Sequence, residues 1–482
     1  MLKTAFLTLT LTFLAEAWRI PASYALTPSP NNRFLQDANG SPFFWQADTA
    51  WLLFHRLNYT EAETYLSDRA AKEFNVVLAV GFTQIGIDSP NRNGGLPFED
   101  EDVTRPNEHY WAYVDDIMEL AWSKGIRICL VPSWGKFVHD NDNNPGVLNS
   151  TTAYNFGHFI GSQYPYLPKT LVGDTNPYWQ NKTAVKDDYS RGGAPPTCQV
   201  IDYSPVYDAM ANGIVDGERE AISSASWNPL LTIHPTNQWF GGGPLALASA
   251  QSGHTDYAPN PPIPWWNCRR GWETVERMYA TGGRPVIDNE PHYENRYIDG
   301  KSANVVWNAS DVRIGSWQAV FSGAAGLTYG ANAIQQMAIP GLFASDGSGL
   351  SDDWMSDLAL PGSGQMQFIQ KAVLDRGSSK YNDRTPAQYI IVGDAGTHDA
   401  RITATKDSDG HWIMVYTPTG QPFEINTTDL RSCNVSASWY DPLSGKHSAF
   451  PFERRSERKG SKVFTPPPAD GHSDWVLVLE TL

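Results

Sequence analysis

From about residue 43 to about residue 376 the chain alternates short apolar runs with longer segments whose apolar residues recur every three or four positions. Short runs that are apolar on both faces predict strands of a buried parallel sheet, and the longer periodic segments predict amphipathic helices. Strands are expected at Phe43–Ala47, Asn75–Val80, Arg127–Pro132, Thr170–Asp174, Leu230–His234, Leu245–Gln251, Pro285–Glu290 and Gly326–Gly330. One helix is expected to start near Thr60, where Thr60 and Glu63 have capping-box spacing. Another spans Asn107–Lys124, with Val114, Ile117, Met118 and Ala121 on one face and Gly125 as its stop. Further helices open at Ser204-Pro205 and cover Trp272–Ala280 and Gln365–Leu374. Eight such alternations predict an α/β fold, a (β/α)8 TIM barrel. The alternative is an open doubly wound sheet, but no G-x-G-x-x-G follows the first strand.

After about Gly377 the pattern changes. Gly377–Pro386 is polar and reads as a linker. Tyr389–Val392, Arg401–Thr405, Trp412–Thr417 and Trp475–Leu479 are β-type runs, and Asp409-Gly410 is a hairpin signal. The division expected is therefore 1–25 as a signal peptide, 27–376 as a barrel catalytic domain, and 388–482 as a small antiparallel β-sandwich. In the first segment Lys3 precedes the apolar and threonine run Ala5–Ala15, which is too short to span a bilayer. Ser23 and Ala25 fit a cleavage site, and Ala15 and Ala17 offer an earlier one. No later stretch approaches about 20 apolar residues, so a secreted, extracellular protein is expected. Six N-x-S/T sequons, at Asn58, Asn149, Asn181, Asn308, Asn426 and Asn434, agree with a secreted glycoprotein.

The formal charge of -16 excludes nucleic acid and anionic membranes as natural partners. With 18 Trp, 21 Tyr and 20 Phe the chain has many rings that could face sugars, although such rings fill cores as readily. Cys129 lies inside the apolar run Ile126–Val131 and reads as a buried free thiol. Cys198 and Cys268 lie in long loops and are the pair expected to form a disulfide; Cys433 completes the set. No CxxC or H-E-x-x-H pattern occurs, so no metal and no cofactor is expected.

In a (β/α)8 barrel, ligands bind at the carboxyl ends of the strands. The residues expected there include Asp48 and Trp51, Trp134, Asp174 and Asn176, His234, Gln251 and His254, Glu290 and Tyr293, and Tyr329. Asp174 ends the fourth strand and Glu290 the seventh, so their carboxylates can face each other across the mouth. Glycoside hydrolysis needs such a pair: one carboxyl group protonates the leaving oxygen, and the other attacks the sugar carbon or activates a water. A separation of about 5 Å implies retention and about 6.5 to 9.5 Å inversion. Each residue also has a plainer reading. Asp174 could make an Asx turn before Pro177, and Asp48 could be an ion-pair partner rather than a ligand for sugar hydroxyls. His234 and His254 read as rim residues rather than general bases. Glu294, on a less rigid loop, is the rival to Glu290 and is preferred as a substrate-binding or supporting group. Trp51, Trp134, Trp239 and Trp317 could be sugar platforms or packing. Arg269, Arg270 and Arg296 could form a local positive patch.

At these residues the chain resembles the apiosidase-like glycoside hydrolases (glycoside hydrolase family 140). The stretches that carry the resemblance are N-R-F-L-Q-D-A-N-G-S-P-F-F-W-Q-A-D-T-A-W (Asn32–Trp51), Y-P-Y-L-P-K-T-L-V-G-D-T-N-P-Y-W (Tyr164–Trp179), L-T-I-H-P (Leu231–Pro235), Q-S-G-H (Gln251–His254) and the stretch around Glu290. W-Y-D-P-L-S-G (Trp439–Gly445) and D-W-V-L-V-L-E (Asp474–Glu480) resemble the sandwich that accompanies this domain, which carries a collagen-binding label. The resemblance implies a secreted retaining glycosidase with Asp174 as acid/base and Glu290 as nucleophile. It also implies action on a pectic poly- or oligosaccharide, because the family's characterised activity releases apiosyl-linked side-chain sugar from rhamnogalacturonan II. Two departures stand out. The family tends to read G-G-D where this chain has Val172-Gly173-Asp174, and 181–200 looks like an insertion. The alternative from another class is a non-catalytic glycan- or matrix-binding protein built on an inactive barrel.

Overall fold

The computed structural model describes residues 20–82, 87–138, 140–141, 144–173, 178–180, 200–235, 245–254, 270–298, 305–377, 381–452, 460–468 and 471–482. Eight parallel strands form the barrel: β1 (Trp45–Thr49), β2 (Val76–Val80), β3 (Arg127–Val131), β4 (Lys169–Thr170), β5 (Leu231–Thr232), β6 (Ala248–Ala250), β7 (Val286–Asp288) and β8 (Gly326–Tyr329). β5-β4-β3-β2-β1-β8 form one continuous ladder and β6-β7 a second. Backbone bonds close the ring, Leu247 N–H to Leu231 O at 3.2 Å and Ala325 N–H to Val286 O at 2.8 Å. Six lie within their predicted spans, while β1 is displaced two residues toward the C-terminus of the expected Phe43–Ala47, and β4 begins one residue before the expected Thr170–Asp174 and ends at Thr170. β1 and β2 are buried along their whole length, β2 as a continuous apolar run and β1 with Gln46, Asp48 and Thr49 among its buried residues.

The helices longer than five residues are α1 (Tyr59–Ala71), α2 (Glu108–Ser123), α3 (Ser150–Gln163), α4 (Ser204–Ala221), α5 (Gly271–Thr281), α6 (Ala309–Phe321) and α7 (Gln367–Leu374). The capping box of α1 is Asn58 with Glu61 rather than Thr60 with Glu63. Three sequon asparagines are helix N-caps: Asn58 of α1, Asn149 of α3 and Asn308 of α6. Capping uses the side-chain oxygen of each. α3 and α4 meet backbone to backbone. A Cβ on Gly161 would lie 2.2 Å from Ile214 O, and one on Gly213 2.2 Å from Tyr154 O.

Residues 20–25 belong to the barrel. Tyr24 is fully buried, its ring lies 4.8 Å from that of Trp122, and its carbonyl accepts from Arg127 Nε at 2.9 Å. A cut after Ala25 would remove this packing, so the boundary expected at residue 25 falls too late. Residues 1–19 lie outside the described residues.

The C-terminal part is a two-sheet antiparallel sandwich. Its strands are β9 (Arg384–Pro386), β10 (Ile391–Val392), β11 (Thr403–Asp407), β12 (Trp412–Thr417), β13 (Phe423–Asn426), β14 (Val435–Tyr440), β15 (His447–Ala449), β16 (Ser461–Phe464) and β17 (Trp475–Thr481). One sheet runs β9-β11-β12-β17-β14-β15 and the other β10-β13-β16. The end of the expected linker is therefore structural. Arg384 is buried and donates from Nη2 to Ala324 O at 2.7 Å.

The sandwich packs on α6. Trp317 stacks on Tyr416 with centroids 5.6 Å apart and 8° between planes, so it is packing and not a sugar platform. Arg313 pairs with Asp474 at 2.8 Å, both buried, and Tyr416 donates to the same carboxylate at 3.0 Å. Met414, Tyr416, Tyr440 and Val476 belong to the same apolar core as the barrel residues. Among the described residues no helix is long and apolar enough to cross a membrane.

Candidate active site

Glu290 sits two residues past β7, which ends at Asp288, and Pro291 follows it. Its carboxylate lies at the wall of an open cavity of about 310 Å³, lined also by Trp51, Trp134, Tyr293, Arg56, Arg296, Gln335, Gln336 and Asp346. That volume is within the usual range for small-ligand sites.

Two histidines hold Glu290 from behind. His234, after β5, is 2.8 Å from Oε2 through Nε2, and His254, after β6, is 2.8 Å from Oε1 through Nε2. An ionised carboxylate only accepts, so each imidazole donates its Nε2–H. Burial pushes the Glu290 carboxyl up, but the two imidazole bonds outweigh it and hold the group well below the ordinary carboxylate range. Burial and the Arg296 charge lower the pKa of His254. The two Nε2 atoms point at separate carboxylate oxygens rather than at a common point. Among the described residues no group of His, Cys, Asp or Glu is arranged to hold a metal ion.

Aromatic rings fix the rest of the wall. Trp51 meets Trp134 edge-on at 5.4 Å and His234 at 5.1 Å, and Tyr293 lies 4.2 Å from His254. Trp134 presses on Gly173 at the end of β4, where a Cβ would lie 2.4 Å from the indole. Gly330 faces Tyr293 equally closely, at 2.1 Å. Both glycines are therefore required for the rings to reach the cavity.

Four expected site residues are placed elsewhere. Asp48 is fully buried, accepts from Tyr65 OH at 2.7 Å and pairs with Arg69 Nε at 3.2 Å. Glu294 is buried, accepts from Tyr329 OH at 2.6 Å and from Gly362 N–H at 3.3 Å, and burial raises its pKa. Arg69 lies over the rings of Tyr65 at 5.6 Å and Tyr329 at 5.9 Å. Asp48, Glu294 and Tyr329 thus belong to a sealed network around one buried arginine and do not line the Glu290 cavity. Gln251 is buried at the end of β6, also off the cavity wall. Asp174, Asn176, Trp239, Arg269, Cys198, Cys268 and Asn181 lie outside the described residues. Cys129 is a buried free thiol and Cys433 an exposed one.

The sequence reading missed Arg56, Gln335, Gln336 and Asp346. Arg56 donates to Gln336 O at 2.7 Å. Arg296, expected in a loop patch, reaches the cavity and donates to Asn332 Oδ1 at 3.0 Å and Ser348 Oγ at 2.7 Å. The available signal was the long excursion after β8, since βα loops build barrel sites.

A closed (β/α)8 barrel with a buried glutamate at an aromatic-lined cavity at the strand ends supplies one of the two carboxylates that glycoside hydrolysis needs. The comparisons with known proteins agree. Residues 29–379 match the family described as "Apiosidase-like, catalytic domain", and residues 385–480 the one described as "Putative collagen-binding domain of a collagenase". The chain belongs to the apiosidase-like family. Among solved structures, one titled glycoside hydrolase is similar with a TM-score of 0.77 at 28% identity, covering 96% of this chain and 98% of its own. A glycoside hydrolase family 5 structure from Bacteroides vulgatus has a TM-score of 0.76 at 28% identity, covering 95% and 93%. No curated protein matches the chain.

Proposed function

We propose that this enzyme is a secreted, retaining glycosidase that cleaves apiosidase-like linkages in acidic, pectic cell-wall glycans. The observation that carries the reading is the cavity itself. It holds a glutamate kept ionised by two imidazoles, with the guanidinium groups of Arg56 and Arg296 on the same wall.

A nucleophile must be ionised at the working pH, and two imidazole bonds favour that form of Glu290, whereas Glu294 is engaged by Tyr329 and Gly362 away from the cavity. Asp174 follows Gly173 by one peptide bond, and Gly173 touches Trp134 of the cavity wall, which supports Asp174 as the acid/base. In the first step a Glu290 oxygen bonds to the anomeric carbon. The glycosidic bond breaks, and the Asp174 proton goes to the leaving oxygen. In the second step Asp174 takes a proton from water, the water oxygen bonds to the anomeric carbon, and Glu290 leaves as carboxylate.

Arginine forks match carboxylates. Arg56 and Arg296 share this wall with Glu290 and with Asp346, which lies 3.8 Å from Arg296, so the proposed preference for a uronate-bearing glycan requires an arginine fork to meet the substrate carboxylate in place of Asp346. Secretion is supported by the apolar leader, with processing at Ala15 or Ala17, which leaves Tyr24 in place.

The test is digestion of a pectic polysaccharide and of a neutral mannan, with products followed by anomeric-proton NMR. Release from the acidic glycan, with the first-formed anomer matching the substrate's, is the expected result. Release only from the neutral glycan, an inverted product, or wild-type turnover by Glu290→Gln would overturn the reading.

A further inference from the structure

The sandwich reaches the Glu290 site through a chain of contacts that starts at the half-exposed Asp399 and runs inward through the buried Arg270. Its 3-10 turn, His398–Ala400, docks beside α5 and α6. Gln318 Nε2 donates to Asp399 O at 3.1 Å and Arg401 O at 2.9 Å, and Trp272 Nε1 to His398 O at 3.2 Å. From this turn Asp399 grips Arg270 with both oxygens, Oδ1 to Nε at 2.6 Å and Oδ2 to Nη2 at 2.7 Å. Such a two-point grip fixes the plane of a guanidinium.

Arg270 then fixes two rings. Its Nη1 is 3.2 Å from His292 Nε2, and its charge lies 5.2 Å over the Trp307 ring. Arginine has only donors, so His292 Nε2 accepts and Nδ1 carries the proton. His292 and Trp307 stack face to face, 3.7 Å apart with 2° between planes. Each ring holds one carbonyl of the same turn: His292 Nδ1 is 2.7 Å from Gly253 O, and Trp307 Nε1 donates to His254 O at 2.8 Å. The third anchor is Gly253 N–H, which donates to Glu290 O at 2.9 Å. Gly253 itself takes a φ of 81°, a conformation that needs glycine. The turn so pinned is the one that presents His254 to Glu290.

We propose that Asp399, a residue of the sandwich, is a positioning residue for the barrel's Glu290, acting through Arg270 and the His292–Trp307 stack on the His254 turn. The proposal rests on Glu290 being the nucleophile. It makes the C-terminal sandwich a working part of the active site rather than an appended module. The charged and titratable groups around the relay are consistent with it. Burial and the Arg270 charge keep His292 neutral, His254 faces it from the turn, and Asp288 and Asp311 line the same narrow cleft.

The test uses the full chain with 15N-labelled histidine and the variants Asp399→Asn, Asp399→Glu and Arg270→Lys. In the wild type His292 should be a neutral Nδ1–H tautomer, as its bonds to Arg270 and Gly253 require. In Asp399→Asn the His292 and His254 ring signals should both shift, because Arg270 loses the carboxylate that fixes its plane. On pectic polysaccharide, Asp399→Asn should lower kcat about tenfold with KM little changed. It should also move the acidic limb of kcat/KM upward, because Glu290 loses part of its imidazole support; Asp399→Glu should restore most of both. A lower melting temperature with unchanged His292 and His254 signals and an unmoved acidic limb would overturn the proposal, leaving Asp399 as a docking residue. Wild-type turnover by Glu290→Gln would instead remove the nucleophile assignment while the histidine spectra still report the relay. Non-additive losses in the double variant of Asp399→Asn with His254→Ala would tie the two sites energetically.

Discussion

Two clusters lie near the carboxyl ends of the barrel strands, each with a buried carboxylate among aromatic rings. One is Glu290 with His234, His254, Tyr293 and Trp51; the other is Asp48 and Glu294 with Tyr65, Tyr329 and Arg69. The first opens on a cavity, and the second is sealed. What separates them is the identity of the neighbours that meet the carboxylate. Arg69, fully buried, brings a fixed charge to Asp48, and Tyr329 caps Glu294, so neither carboxylate has a role left for a ligand. Glu290 is supported only on its inner side, by two imidazoles that donate and leave its outer side to the cavity. A carboxylate at a strand end is therefore a poor indicator of chemistry by itself. The partner behind it decides.

That contrast can be broken experimentally. Glu290→Gln should reduce turnover by about three orders of magnitude or more, roughly 4 kcal/mol of barrier, with an unchanged circular-dichroism spectrum and melting temperature. Wild-type kinetics in this variant would place the chemistry elsewhere. Asp48→Asn should do the reverse. Removing one partner of a buried ion pair leaves an uncompensated charge and costs about 3–5 kcal/mol of stability. Chemical denaturation should show that loss, while kcat of the folded fraction stays close to wild type; a kcat collapse with normal stability would return Asp48 to the active site.

Arg56→Ala and Arg296→Ala sharpen the comparison from the substrate side. Each should raise KM for an acidic oligosaccharide about tenfold to a hundredfold, as expected for lost charged hydrogen bonds worth about 1.5–3 kcal/mol. KM for a neutral oligosaccharide should stay near wild type, and equal effects on both would sink the uronate reading.

The smallest expected effect is on pH dependence. Burial pushes Asp288 and Asp115 up to about 6. A carboxyl raised in the folded state binds its proton more tightly there than in the unfolded chain. The stability this confers is complete below about pH 4 and is lost as pH rises through about 6. Unfolding free energy should fall over that window by at most about 1.4 kcal/mol per pH unit for each proton involved. Asp288→Asn should flatten the slope, and a stability that rises from pH 4 to 6 in the wild type would contradict the direction.

Much of this was legible in the sequence. β2 reads Val76-Val77-Leu78-Ala79-Val80, and α2 shows its buried stripe, because burial of a strand or of one helix face leaves a local period. α6 left no such mark. Its residues Val312, Arg313, Trp317, Gln318 and Phe321 are all buried, since the barrel covers one side and the sandwich the other. A helix with no solvent face has no amphipathic period to read. β9 was hidden for a related reason: Arg384-Thr385-Pro386 looks polar, yet Arg384 is buried against carbonyls of the α6 end.

The sequence by itself determined the eight strands, their order and the placement of Glu290 at the mouth, because those follow from local runs and from the rule that barrel sites lie at strand ends. Only the tertiary structure decided which carboxylates stay available. His234 and His254 come from two other strands, and Arg69 lies 21 residues from Asp48 along the chain. The hydrogen bonds and ion pairs that tune a buried charge are made across the barrel, and no local pattern records them.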